Sequence, residues 1–222
     1  MNITVWFDYT CPFCYIGKVR LEKAVRQSGK DDVQIEMKAF QLNPAAGKYG
    51  RRKIREHFMG KYGITGEEAD RRIRTIGELA DAEGLEMHYA EARTANTLSA
   101  HRLTKLAAEQ GTFQIARNLA DQLFKAYFCE NADIGDKALL QLIGEKAGLP
   151  TDTVRNVLET DTYWDAVMLD QMQASQKGIR KVPHFEIGDL EVSGIISTER
   201  LYDLLCTSTE GSGSISGEAC SL

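Results

Sequence analysis

The chain has 222 residues and a mass of 24.8 kDa, room for one large domain or for a small core carrying a sizeable insertion. Hydrophobic residues make up 43% and charged residues 27%, enough apolar mass for a packed core, which excludes a disordered polar chain. The 27 Lys and Arg are outnumbered by 32 Asp and Glu, giving a net charge of −5. No window nears the roughly 20 apolar residues of a bilayer span, so neither nucleic acid nor membrane is an expected partner.

Ile3, Val5 and Phe7 alternate with Thr4, Trp6 and Asp8, the period of a strand. After a short loop, Cys11 is followed by Pro12, which opens a helix with Ile16, Val19, Leu21 and Ala24 on its apolar side and an end near Gly29. Val33, Ile35, Met37 and Ala39 predict a second strand, and strand, helix, strand is a βαβ unit. Residues 51 to 176 read as helices. Thr65 and Glu68 form a capping box ahead of the stripe Ala69, Ile73, Ile76 and Ala80. Leu98, Leu103, Leu106 and Ala107 predict a helix ended at Gly111, and Ala116, Leu119, Ala120, Leu123, Phe124 and Tyr127 the next. Asp136 and Thr151 are the expected N-caps of two short helices, and a longer one runs from about Thr162 to Gly178. After Gly178 the period changes again. His184 to Ile187 and Leu190 to Ser193 predict a hairpin around Gly188-Asp189, and a last helix begins near Ser197.

Neither the βαβ start nor the ββα finish has enough strands for a core of its own. Pairing them into one sheet predicts an α/β, thioredoxin-like fold with an all-helical insertion between its halves. The expected division is a thioredoxin-like domain from residues 1–45 and 178–206, an insertion at 46–177 whose last helix bridges back, and a flexible Ser- and Gly-rich tail at 207–222.

The first eight residues carry no basic n-region, long apolar run or small-residue cleavage site, so the expectation is a cytoplasmic protein without stable structural disulfides. Five cysteines then need another use. Cys11 and Cys14 stand at Cys-x-x-Cys spacing, which serves either zinc or dithiol exchange. Zinc needs two further ligands at matched spacing, and no second Cys-x-x-Cys or His-x₃₋₅-His occurs. Between a strand and a helix of a βαβ unit, the motif reads as a redox dithiol, with no metal and no organic cofactor expected, since the sulfurs carry the electrons. With Cys11 at the N-cap and Pro12 at N1, Cys14 falls at N3. Unpaired first-turn N–H groups and the helix dipole favour thiolate at Cys11, the expected exposed nucleophile. Cys14, turned into the helix, is the expected buried resolving thiol. Asp8 is within reach of a proton-accepting role but reads first as an ordinary strand-end aspartate. Arg51-Arg52-Lys53 and Arg71-Arg72-Arg74 read as solvated helix surface, and Cys206 and Cys220 as a helix-end thiol and a tail thiol. His57, His88 and His101 lack ligand spacing and are given no role. Position alone leaves the Val182-Pro183 bond either cis or trans; a cis bond would turn the backbone of residue 182 towards an extended peptide beside Cys11.

Cys11-Pro12-Phe13-Cys14-Tyr15-Ile16-Gly17-Lys18 after the first strand and Val182-Pro183-His184-Phe185 near the end resemble the DsbA-type thioredoxin-fold oxidoreductases. Asn96-Thr97, Ala100-His101-Arg102-Leu103, Leu123-Phe124-Lys125-Ala126-Tyr127-Phe128 and Asp133-Ile134-Gly135-Asp136 resemble their cytoplasmic FrnE-like branch. The resemblance spans about Ile3 to Leu205. It implies the helical insertion, the nucleophile Cys11, the resolver Cys14 and a cis Pro183, with Pro12, Phe13, Val182, Pro183 and His184 meeting substrate. Asn96 and Arg102 would face the cleft if the chain followed a related glutathione-using branch. Lys181 and His184 depart from the Gly and the apolar residue that commonly flank the Val-Pro pair, and Cys129 replaces a small polar residue. The expected partners are proteins or small molecules carrying a thiol or disulfide, glutathione among them, for a monomer or a homodimer. Two other readings stay open. One is a glutathione-dependent isomerase or kappa-class transferase, whose members typically carry Ser where Cys11 stands; the other is a non-catalytic redox sensor or holdase.

Overall fold

A computed structural model describes residues 1–30, 32–47, 51–110 and 112–207. The alternating first segment is β1 (Asn2–Phe7), and Pro12 opens α1 (Pro12–Ser28), where its missing N–H costs no hydrogen bond. Gly29, at φ 64, ends the helix in the left-handed conformation that glycine adopts without steric cost. β2 (Gln34–Ala39) pairs parallel to β1, from Asn2 opposite Gln34 to Phe7 opposite Ala39.

The helical stretch comprises α2 (Ile54–Tyr62), α3 (Gly66–Asp81), α4 (Leu98–Gln110), α5 (Phe113–Phe128), α6 (Lys137–Ala147), α7 (Thr151–Glu159) and α8 (Trp164–Gln176). The Thr65–Glu68 capping box opens α3 with both of its reciprocal bonds, and Asp136 caps α6 by accepting from the Leu139 N–H. Thr151 is not a cap. The Pro150 carbonyl accepts the first helical bond of α7, from the Val154 N–H, so the helix starts one residue earlier than the hydroxyl suggested. Likewise α8 begins at Trp164, after Tyr163 at φ 64, and Thr162 instead bonds within the preceding turn, its N–H donating to Thr160 Oγ1.

β3 (His184–Ile187) and β4 (Leu190–Ser193) form the expected hairpin, and α9 (Thr198–Thr207) closes the described chain. β3 runs antiparallel to β1 on the side away from β2, which gives the sheet order β2-β1-β3-β4. α1 packs with α9 on one face of the sheet, where Gly17 meets Pro183 and Phe185. α8 covers the other face: Trp6 Nε1 donates to the Asp170 carbonyl and the Ala39 N–H to the Asp170 carboxylate. The helices joining β2 to β3 thus share the core of the sheet. Tyr15 of α1 stacks on Phe124 of α5 with centroids 5.0 Å apart, fastening the helical part directly to the first helix. Among the described residues no helix is long and apolar enough to cross a membrane. Residues 208–222, including Cys220 and nearly all of the expected tail, lie outside the described chain.

Candidate active site

Asp8 follows β1 and is buried together with its surroundings. Its carboxylate accepts from the Leu42 N–H at 2.7 Å and the Thr10 hydroxyl at 3.2 Å, and its carbonyl accepts from the Cys11 N–H at 3.1 Å. These bonds tie the loop before α1 to the segment after β2 and fix where Cys11 stands. His101 of α4, equally buried, brings Nε2 to 3.6 Å from Asp8 Oδ1 between the rings of Phe7 and Tyr9. No local pattern points to this histidine, because only the docking of α4 on the loop brings it to Asp8.

Cys11 is the N-cap of α1, with extended φ −89 and ψ 113. Its carbonyl accepts from the Cys14 N–H at 3.0 Å and the Tyr15 N–H at 3.4 Å, and Pro12 has no N–H to offer. The sulfur makes no capping bond. Its thiol donates instead to the Val182 carbonyl at 3.6 Å. The expectation of an exposed sulfur is corrected. Cys11 is 4% exposed and lies at the floor of a cleft of ≈ 520 Å³, because α2 and α3 rise over it. Cys14, one turn along, is 2% exposed. Burial pushes its thiol well above the ordinary value; the adjacent Cys11 sulfur adds to this, while a bond from the Asp8 backbone opposes it.

Pro12, Phe13 and Val182 line the cleft with Cys11. The Val182-Pro183 peptide is cis, and the Pro183 ring packs on α1, where a Cβ at Gly17 would meet its Cγ at 3.0 Å. Pro183, beside Val182, is not itself among the cleft-lining residues, and neither is His184. Strand alternation turns it to the opposite face of the sheet, where its ring meets Trp6 and Nδ1 lies 2.6 Å from Ser193 Oγ, and burial holds the imidazole below its usual value. Asn96 and Arg102 do not face the cleft either. Asn96 Nδ2 donates to the Pro44 and Ala46 carbonyls, and Arg102 donates to the carbonyls of Val157, Thr160 and Thr162, closing the end of α7. Arg51 pairs with Asp133 at 3.4 Å.

Several wall residues were missed from the sequence. Phe58 and Tyr62 of α2 and Tyr89 supply aromatic walls, and His57, Lys61, Arg180 and Lys181 supply basic groups. No carboxylate lines this cleft among the described residues. The one available signal was the spacing of His57, Phe58, Lys61 and Tyr62, which puts aromatic and basic groups a turn apart on α2. Cys129 caps the C-terminus of α5 and is not among the cleft-lining residues, and burial raises its thiol. Cys206 lies in the last turn of α9.

The chain is 29% identical over 201 residues to the uncharacterized protein YwbO of Bacillus subtilis, covering 87% of this chain and 90% of the relative. The crystal structure of a probable DsbA oxidoreductase from Streptomyces coelicolor superposes with a TM-score of 0.88 at 29% identity, covering 97% of this chain and 93% of that one. At 12% identity, and so as a likeness of fold alone, the cytosolic disulfide reductase DsbM of Pseudomonas aeruginosa with GSH superposes with a TM-score of 0.63, covering 95% and 98%. The DsbA-like thioredoxin domain model matches residues 2–205, essentially the whole described fold, and the chain therefore belongs to the family of DsbA-like thioredoxin domains.

Proposed function

We propose that the chain is a cytoplasmic thiol–disulfide oxidoreductase of the FrnE-like branch, with Cys11 as nucleophile and Cys14 as resolving thiol. The observation that carries this reading is the asymmetry of the pair: Cys11 caps α1 at the floor of an open cleft, whereas burial keeps Cys14 protonated behind it. The Cys11 thiolate attacks a substrate disulfide, forming an S–S bond to one substrate sulfur and releasing the other as a thiolate. Cys14 gives up its proton and its sulfur attacks Cys11, which displaces the second substrate thiolate. The substrate gains two electrons and the Cys11–Cys14 pair loses them; the reverse sequence oxidises a dithiol. Pro12, Phe13 and the Val182 backbone are the surfaces that meet substrate. The cytoplasmic assignment draws on the resemblance and on the cytosolic neighbour.

The basic rim of Lys61, Arg180 and Lys181 favours an anionic thiol or disulfide, and glutathione is of that class. This also supports the second reading, a glutathione-dependent isomerase or transferase. Replacing Cys11 separates the two: dithiol exchange is lost in Cys11→Ser, whereas isomerisation with an external thiol survives. In insulin reduction by dithiothreitol, the wild-type chain is expected to accelerate precipitation and Cys11→Ser to abolish the effect. Cys14→Ser is expected to accumulate a mixed disulfide on Cys11, detectable by intact mass. A wild-type chain no faster than the double-serine variant overturns the proposal in favour of a sensor or holdase.

A further inference from the structure

The β3–β4 hairpin carries a group of ligating side chains that the redox chemistry leaves unused. His184 and Glu186 are two residues apart on β3, so both project from the same face of the sheet. Glu191 and Ser193 stand directly opposite them on β4, paired Glu186 with Glu191 and His184 with Ser193. Two like charges opposite one another on neighbouring strands destabilise a sheet. The His184 side chain is only 6% exposed, yet its Nε2 has no hydrogen-bond partner, and a buried polar atom normally has one. That nitrogen is 3.9 Å from Glu186 Oε1, and one ligand atom from each of His184, Glu186 and Glu191 falls within 4.8 Å of the others. The opposite ring nitrogen is held by Ser193 Oγ at 2.6 Å, the kind of outer contact that fixes the tautomer of a ligating imidazole. With Nδ1 donating to Ser193, Nε2 presents its lone pair to the two carboxylates.

From this arrangement we infer that His184, Glu186 and Glu191 form a binding site for a divalent transition-metal ion of the Zn²⁺ class. One imidazole nitrogen and two carboxylate oxygens suit such an ion, and three protein ligands leave a fourth position for water. The ion's two positive charges balance both carboxylates and give the buried nitrogen its partner. Lys177 now supplies part of that charge, with Nζ 2.6 Å from Glu186 Oε1. Bonds near 2 Å bring tetrahedral ligand atoms to roughly 3.3 Å apart, so the site contracts by about an ångström and Lys177 moves off Glu186. The lysine side chain is 44% exposed and free to do so. The ion would join the edge strand β4 to β3 on the face turned away from the cleft.

The test titrates Zn²⁺ and Co²⁺ into the full chain carrying Cys11→Ser and Cys14→Ser, which removes the dithiol as a competing ligand. Trp6, whose ring centroid lies 5.7 Å from that of His184, reports Co²⁺ by fluorescence quenching. The expected result is one ion per chain, with a Co²⁺ spectrum lacking thiolate charge transfer. His184→Gln and Glu191→Gln each weaken binding by about tenfold or more, and Ser193→Ala by about 10–100-fold. Lys177→Met, which removes the competing cation at an exposed position, binds the ion several-fold more tightly. No binding overturns the proposal. So does binding that neither Glu191→Gln nor Lys177→Met alters, which marks an adventitious surface ion only. Disulfide turnover has no part in this readout, so its outcome is independent of the redox assignment.

Discussion

Cys11 and Cys14 are three residues apart, yet their sulfurs face different surroundings. Cys11 lies under an open cleft with its thiol on the Val182 carbonyl, while Cys14 is enclosed and held protonated by burial. Because the thiolate is the reactive species, iodoacetamide at pH 7 is expected to label Cys11 first within the peptide spanning both residues. Cys14 and the half-buried Cys129 are expected to lag until the pH rises past the ordinary thiol value of about 8.5. Mass-mapped labelling at pH 7 and pH 10 checks this, and Cys14 labelled ahead of Cys11 contradicts it. Asp8 allows a second expectation. Its carboxylate holds the Leu42 N–H and the Thr10 hydroxyl, so Asp8→Ala strands two donors beside the dithiol and costs about 1–3 kcal/mol by urea denaturation. The Cys-x-x-Cys spacing was legible in the sequence, since helix geometry alone sets N-cap against N3. The partnership of Asp8 with His101 was not, because the two are 93 residues apart and meet only when α4 docks.

Helix ends were readable where a side chain makes the cap and misread where the backbone does. Thr65 and Glu68 announce α3, and Asp136 announces α6, because their oxygens take N–H groups that the helix leaves unpaired. Thr151 misled because Pro150, with its preset φ, supplies the first carbonyl of α7. Arg102 and Asn96, singled out through a family resemblance, serve backbone carbonyls of neighbouring loops, a use that no local pattern reveals. Packing between elements makes Gly17 the sharper test. A Cβ there would lie 3.0 Å from Cγ of Pro183, just before β3, and 3.2 Å from Cζ of Phe185, within it. Overpacking costs about 1–3 kcal/mol, more than the helix propensity of about 1 kcal/mol gained in replacing glycine by alanine. Gly17→Ala is therefore expected to lower the urea midpoint and to slow insulin reduction by moving Pro183 against the cleft. Thr65→Ala, which loses about 1 kcal/mol at the exposed start of α3, is expected to lower stability while leaving the reduction rate unchanged. Equal effects of the two variants on that rate would contradict a packing role for Gly17.

Across the whole molecule, the changes of sequence period from 2 to 3.6 and back were enough to give a βαβ start, a helical middle and a ββα finish. They could not give the cleft, whose walls come from α2, α3 and the segment before β3 meeting over Cys11. The same convergence buries tyrosines in the shared core. Tyr9, Tyr89 and Tyr127 all have phenols raised by burial, Tyr9 with its hydroxyl on Thr104 and Tyr127 with its hydroxyl on the Arg93 carbonyl. A group whose value is raised on folding lends stability that is complete below its unfolded value and is lost as pH climbs towards the folded one. The unfolded values are about 8.5 for a thiol and about 10 for a phenol. Urea midpoints are therefore expected to hold level from about pH 7.5 to 8.5, to decline through Cys14 and Cys129 between about pH 8.5 and 10, and to fall more steeply above about pH 10 as the unfolded tyrosines ionise. Cys14→Ala should reduce the first, shallower decline to the part owed to Cys129 and keep the second. Phenolate absorbance followed alongside the midpoints separates the contributions, since the three buried phenols should ionise only as the chain unfolds. Their ionising near pH 10 in a chain still folded by circular dichroism would mean that the helical part leaves them open to water, and the shared core inferred from Tyr15 on Phe124 would fail with it.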